Sequence, residues 1–156
     1  MGNVISWFLL MALAAMLLAA CWCDLKARTI PNLLNLAIAL LAIPFWWSIG
    51  LGLWPDAALQ IGVAALVFGL FAIAFALGVM GGGDVKLVAA IALWLPAQSV
   101  LALLFIMSVA GGVLTLAMLI RHKLGRKAGQ LEIPYGVAIA FGGLWLIGER
   151  FLNQFG

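Results

Sequence analysis

The sequence predicts an all-α, polytopic membrane protein with six transmembrane helices, both termini outside and its chemistry at the cytoplasmic membrane face. Three observations carry this expectation: an overwhelmingly apolar composition, six apolar runs of which most are of near-spanning length, and a lopsided distribution of basic side chains. Of 156 residues, 67% are hydrophobic and only 8% are charged, with a mean hydropathy of +1.26. A water-facing exterior must be largely polar, so a soluble domain of this composition is excluded. No polar stretch exceeds about fifteen residues, and the expectation is a single integral-membrane domain over 1–156 with no soluble domain. The net charge of +3 comes from a few loop residues. It suits membrane lipids with anionic headgroups rather than nucleic acid, for which no basic stripe interleaved with stacking aromatics is present.

The first apolar run, about Val4 to Trp22, reads as a membrane helix. Leu18-Ala19-Ala20-Cys21 resembles a lipoprotein processing site, but no Lys or Arg precedes it, and a secretory signal needs a basic start. The helix is therefore expected to be retained. The second run extends from Pro31 or Leu33 to about Trp54, with Pro31 at its first turn, where a missing amide costs nothing. The third runs from Ala57 to about Val79, the fifth from Ser99 to Ile120, and the sixth from about Tyr135 to Leu152. Most approach the roughly 20 residues that a spanning helix requires. Merging the fourth and fifth runs gives a five-helix alternative. Trp46, Trp47, Trp54, Trp94 and Trp145 lie mostly near run ends and read as interfacial anchors.

The fourth run, Val85 to Leu95, is closed by Leu95-Pro96-Ala97-Gln98. It advances only about 16 Å at 1.5 Å per residue, roughly half the hydrocarbon thickness. If its outer turn reaches the far headgroups, the residues before it are drawn into the membrane from the inside. Irregular backbone at that depth is tolerated only when packed in protein or lining a wet cavity. Gly81-Gly82-Gly83 is expected to supply it, with room for another chain to approach.

Basic residues fix the orientation. Lys26 and Arg28 follow run one, Lys86 follows run three, and Arg121, Lys123, Arg126 and Lys127 follow run five; the other connections hold none, and the far ends contribute Arg150 and the amino terminus. Seven of the eight basic side chains thus fall on one side, which the positive-inside rule makes cytoplasmic.

Two of the five acidic residues share that level: Asp24, in Cys23-Asp24-Leu25-Lys26, and Asp84, in Met80-Gly81-Gly82-Gly83-Asp84-Val85-Lys86-Leu87. The five-helix alternative keeps them together. A carboxylate in the bilayer costs about 2.5–3.5 kcal/mol on insertion scales, so each is a functional candidate by default. Two readings stand side by side. Asp84 can cap the amino end of helix four, with Asp24 a solvated boundary residue beside Lys26 or Arg28. Alternatively the two form an aspartyl dyad sharing one proton, the ionised member deprotonating water and the protonated one bonding a carbonyl. Cys21 and Cys23 lack a second pair and His122 is the only histidine, so no metal site is expected. A non-catalytic scaffold or small proton or cation transporter using buried acids is the rival of another class.

Gly81-Gly82-Gly83-Asp84 fits Gly-x-Gly-Asp, the signature of intramembrane aspartyl proteases. Asp24-Leu25-Lys26-Ala27-Arg28-Thr29-Ile30-Pro31-Asn32 resembles the first-aspartate motif of the type IV prepilin peptidase family, and Pro134-Tyr135-Gly136 with Gly142-Gly143 resembles its last helix. The resemblance implies a membrane aspartyl endopeptidase of the bacterial inner membrane. Such an enzyme removes the basic leader from prepilin or pseudopilin precursors, with Asp24 and Asp84 catalytic and no cofactor. Larger members carry a methyltransferase region with paired Cys-x-x-Cys motifs after helix one. Here about eight residues separate the first two runs, so cleavage without N-methylation is expected, as in the short form serving tight-adherence (Flp) pili. Ile30-Pro31-Asn32 argues against presenilin-like enzymes that cut other transmembrane substrates.

Supporting roles are expected for Gly81, Gly83, Lys86, Arg28, Pro31 and Asn32. Lys86 and Arg28 either help hold the site or serve as inside-flanking anchors. Asn32 and Asn35 share a helical face by i,i+3 spacing; they bond the Asp24 loop or tie helices together. The Arg121–Lys127 basic cluster suits anionic headgroups, and Glu132 reads as a solvated loop acid or an attractor of the leader.

Overall fold

The computed structural model describes residues 2–124 and 133–152. Among them the chain is helical throughout, with no strand: α1 Gly2–Ala27, α2 Asn32–Ser48, α3 Ala58–Ala76, α4 Gly82–Ala92, α5 Ala97–Leu124 and α6 Tyr135–Leu152. A wound turn, Leu53–Ala57, leads into α3 and is broken by the extended backbone of Trp54. Among the described residues three stretches are long and apolar enough to cross a membrane, Val4–Ala27, Leu53–Ala76 and Ala97–Lys123, and Asn32–Ser48 is a shorter apolar helix. Arg126, Lys127 and Glu132 lie outside the described residues.

Two helix ends differ from the expected boundaries for one reason. The second run continues apolar to Trp54, but α2 stops at Ser48, because Gly50 takes φ +71°. The amides of Gly50 and Leu51 then close back on the carbonyls of Trp47 and Trp46, a Schellman end. The same device ends α3: Gly78 has φ +72°, and the Gly78 and Val79 amides bond the Phe75 and Ala74 carbonyls. At α1 the helix runs past Asp24 to Ala27. Pro31 is extended and precedes α2 rather than opening it.

The short α4 is the centre of the packing. It contacts α2, α3 and α6, while α1 lies against α2 and α6, and α6 against α5. Seven of its eleven residues are buried, among them Leu87, Val88 and Ile91. Four side-chain bonds clamp it to α2. Asn35 Nδ2 donates to the Gly83 carbonyl at 3.0 Å, and Lys86 Nζ donates to Asn32 Oδ1 at 2.8 Å. At the other end Trp46 Nε1 donates to the Leu93 carbonyl at 2.8 Å, and Trp94 Nε1 to that of Ile38 at 2.9 Å. Trp46 and Trp94 are therefore buried internal braces, a correction to their reading as interfacial anchors. Trp47, Trp54 and Trp145 are exposed. Where α6 crosses its neighbours it carries glycine: a Cβ at 143 would stand 2.9 Å from Leu17 Cδ1, and one at 142 would stand 3.1 Å from Leu103 Cδ1. Small residues allow this close backbone approach.

A Cβ at 50 or 78 would meet nothing within 4 Å, so only the left-handed backbone resists a side chain there. Gly50→Ala and Gly78→Ala should each lower unfolding stability by about 1–2 kcal/mol, read by titration with a denaturing detergent in mixed micelles. Unchanged or increased stability would contradict the left-handed turns.

Candidate active site

Asp24 and Asp84 come from separate helices and line the same pocket, of about 440 Å³. Its wall also includes Arg28, the loop from Gly78 to Gly81, and Ile133 and Tyr135 before and within α6. The pocket thus lies where α1 and α3 end and α4 and α6 begin. Both acids are buried, at 5% and 8% exposure.

Each carboxylate faces the amino end of a helix. Asp84 is in the first turn of α4, and a Cβ on Gly81 would be 3.0 Å from its Oδ2. The Gly81 amide is directed at this carboxyl, so the acid reaches back over the start of its own helix. The capping contact and the shared pocket therefore coexist. Asp24 instead ends its own helix and faces α6, where the amides of Val137 and Gly136 are directed at it. Helix amino ends carry unsatisfied N–H groups and partial positive charge, which favour an anion. Even so, Asp24 Oδ2 is buried without a hydrogen-bond partner. A buried acceptor left unmet costs about 1–3 kcal/mol.

The loops hold these positions tightly. Arg28 takes φ +54°, and its amide bonds the Asp24 carbonyl at 3.0 Å, an αL helix end that usually falls to glycine. The Arg28 guanidinium lies within electrostatic reach of Asp24. Ile30 then packs into the site: a Cβ on Gly83 would stand 3.2 Å from Ile30 Cβ, and one on Gly136 would stand 2.8 Å from both Ile30 Cδ1 and Asp24 Oδ2.

The expected supporting residues divide by location. Gly81 and Arg28 line the acid pocket. Gly83, Lys86 and Asn32 belong to the α2–α4 clamp, and Pro31 receives the first amides of α2 at its carbonyl. The glycine run is not wholly irregular, since Gly82 and Gly83 are helical; the irregular backbone is the stretch from Gly78 to Gly81. Gly136 was legible only as part of Pro134-Tyr135-Gly136, and its contact with Asp24 has no signal within the chain around either residue. An apolar cleft of about 560 Å³ between α3 and α5, lined by Phe71, Met107, Gly111 and Thr115, shares Val79, Met80 and Tyr135 with the acid pocket.

Two buried acids lining one pocket, at one end of a bundle of long apolar helices, mark the chain as a membrane protein with a polar site. The chain belongs to the type IV leader peptidase family, whose sequence profile matches residues 11–116. It is accordingly a multi-pass membrane protein with leader-peptidase-like protease function. No curated protein and no solved structure matches the chain.

Gly136→Ala would push a methyl group into both Asp24 and Ile30. Peptidase activity should fall roughly tenfold or more, while Gly62→Ala, whose Cβ meets nothing within 4 Å, should leave it unchanged. Initial rates on a leader-bearing peptide check this; full activity of Gly136→Ala would contradict the packing around Asp24.

Proposed function

We propose that the chain is an aspartic endopeptidase that removes the basic leader of prepilin or pseudopilin precursors. The observation that carries this reading is the shared burial of Asp24 and Asp84 in one pocket. Two carboxyls confined together do not both ionise readily, so one holds a proton and the other does not. The ionised member takes a proton from water, whose oxygen attacks the scissile carbonyl carbon. The protonated member gives its proton to the carbonyl oxygen, forming a tetrahedral diol. Collapse of the diol breaks the C–N bond, and the carboxyl that took the water's proton gives it to the departing nitrogen. The other carboxylate takes back a proton from a diol hydroxyl as the C=O re-forms, and both carboxyls regain their starting states. No covalent intermediate or cofactor enters.

In this reading all six helices cross or enter the bacterial inner membrane, both termini face outward, and the acid pocket lies at the cytoplasmic surface. The clustering of Lys26, Arg28 and Lys86 beside the acids supports that orientation. The cleft between α3 and α5 runs from the acids along the apolar helices, a suitable berth for the apolar segment behind a leader. The short connection between α1 and α2 favours cleavage without methylation, as in tight-adherence pilus systems.

Asp24→Asn and Asp84→Asn keep shape and remove acid–base capacity. Each should lower cleavage of a precursor peptide by roughly 100- to 10,000-fold, with membrane insertion and detergent elution unchanged. Either variant retaining more than about a tenth of the wild-type rate would take that residue out of the chemistry.

A further inference from the structure

The end of the bundle opposite the acids holds a pocket, separate from the acid site, with charged and polar side chains in an otherwise apolar wall. It measures about 510 Å³ and is lined by Gln60 of α3, Ser99 of α5, and Glu149 and Arg150 of α6. These come from the starts of α3 and α5 and the end of α6, at the level where apolar helices meet headgroups.

Charges of both signs line this one cavity. The Arg150 guanidinium carbon lies 5.2 Å from the centroid of the Phe45 ring. Phe45 is fully buried and packs against Trp94 at 4.9 Å between ring centroids, and Trp94 is tied to the Ile38 carbonyl. The cation therefore rests on a fixed aromatic base, and a guanidinium carries a fork of N–H donors suited to a bidentate partner. Glu149 accepts from Trp145 Nε1 at 3.0 Å, which holds it along its own helix. Successive side chains on a helix diverge, so these two charges line the same pocket from different angles. Gln60 is more than nine-tenths buried, at 8% exposure, and its Oε1 has no hydrogen-bond partner. Ser99 is in the first turn of α5, whose leading amides add partial positive charge.

A site for a simple anion gains nothing from Glu149, and a site for a simple cation gains nothing from Arg150. We propose that this pocket binds the headgroup of a zwitterionic phospholipid carrying a phosphate and a primary amine. Arg150, Ser99 and the start of α5 take the phosphate, Glu149 takes the ammonium, and the Gln60 amide forms the polar wall between them. Leu51 and Leu146, which also line the pocket, suit the glycerol and the first acyl carbons.

The test is native mass spectrometry of the full chain in detergent, with equimolar phosphatidylethanolamine, phosphatidylglycerol and phosphatidylcholine of identical acyl chains. The wild type should retain one phosphatidylethanolamine roughly tenfold over the other two, the ratio that one charge-assisted pair supplies. Arg150→Gln should lower that retention roughly tenfold. Glu149→Gln keeps an acceptor for Trp145 and should bring the ethanolamine and glycerol lipids near parity. Equal retention of the three lipids by the wild type, or an unchanged preference in Glu149→Gln, overturns the proposal. Glycerophosphoethanolamine without acyl chains should not displace the lipid at millimolar concentration; displacement there would make the ligand a soluble phosphoester and overturn the lipid assignment. None of these readouts depends on leader cleavage.

Discussion

The clamp between α2 and α4 is the interaction on which the rest of the structure depends. An eleven-residue helix rises only about 16 Å, too little to set its own depth by matching hydrocarbon thickness. Its depth is set instead by bonds to α2 at both ends: Asn35 to Gly83 and Lys86 to Asn32 near one end, Trp46 to Leu93 and Trp94 to Ile38 near the other. Asp84 is in the first turn of this helix, so its height relative to Asp24 follows from that clamp. α4 is also packed in protein along most of its length, with Leu87, Val88 and Ala92 fully buried.

The two acids occupy complementary electrostatic positions. Asp84 sits over the start of its own helix, and Asp24 ends α1 but faces the start of α6. Each thereby gains the positive end of one helix dipole. Burial and the nearness of the second carboxylate work against the doubly charged state. Arg28 adds backbone constraint: its left-handed turn bends the chain from α1 back over Asp24 and sends Ile30 into contact with Gly83 and Gly136. The acid pocket shares Val79, Met80 and Tyr135 with the cleft between α3 and α5.

Much of this was legible in the chain. Asymmetric placement of basic residues and the parity of apolar runs put Asp24 and Asp84 at one level, and the structure brings them into one pocket. Their motifs stand within the stretch that matches the family. Helix existence was readable for all six elements because long apolar runs leave few alternatives. The end of α2 was not, because apolar residues continue past Gly50 and only its positive φ shows where the helix turns. Trp46 and Trp94 were misread because a tryptophan near a run end suits a lipid interface and an internal brace equally well by composition. Which it becomes depends on whether a carbonyl of another helix lies within reach. Gly136 was opaque for a similar reason, since its need for no side chain arises from Asp24 and Ile30, which are remote in sequence.

Thiol cross-linking between positions 24 and 84 tests the central claim most directly. With Cys21→Ser and Cys23→Ser as background, Asp24→Cys and Asp84→Cys should be joined by a short bismaleimide in native membranes. A control pairing Asp24→Cys with Ser99→Cys, at the other end of the bundle, should remain unjoined. The thiols introduced at positions 24 and 84 should also react with a membrane-impermeant reagent from the cytoplasmic side alone. Failure of the two positions to cross-link, with their thiols labelled from opposite faces, would contradict a shared acid pocket and the peptidase chemistry built on it.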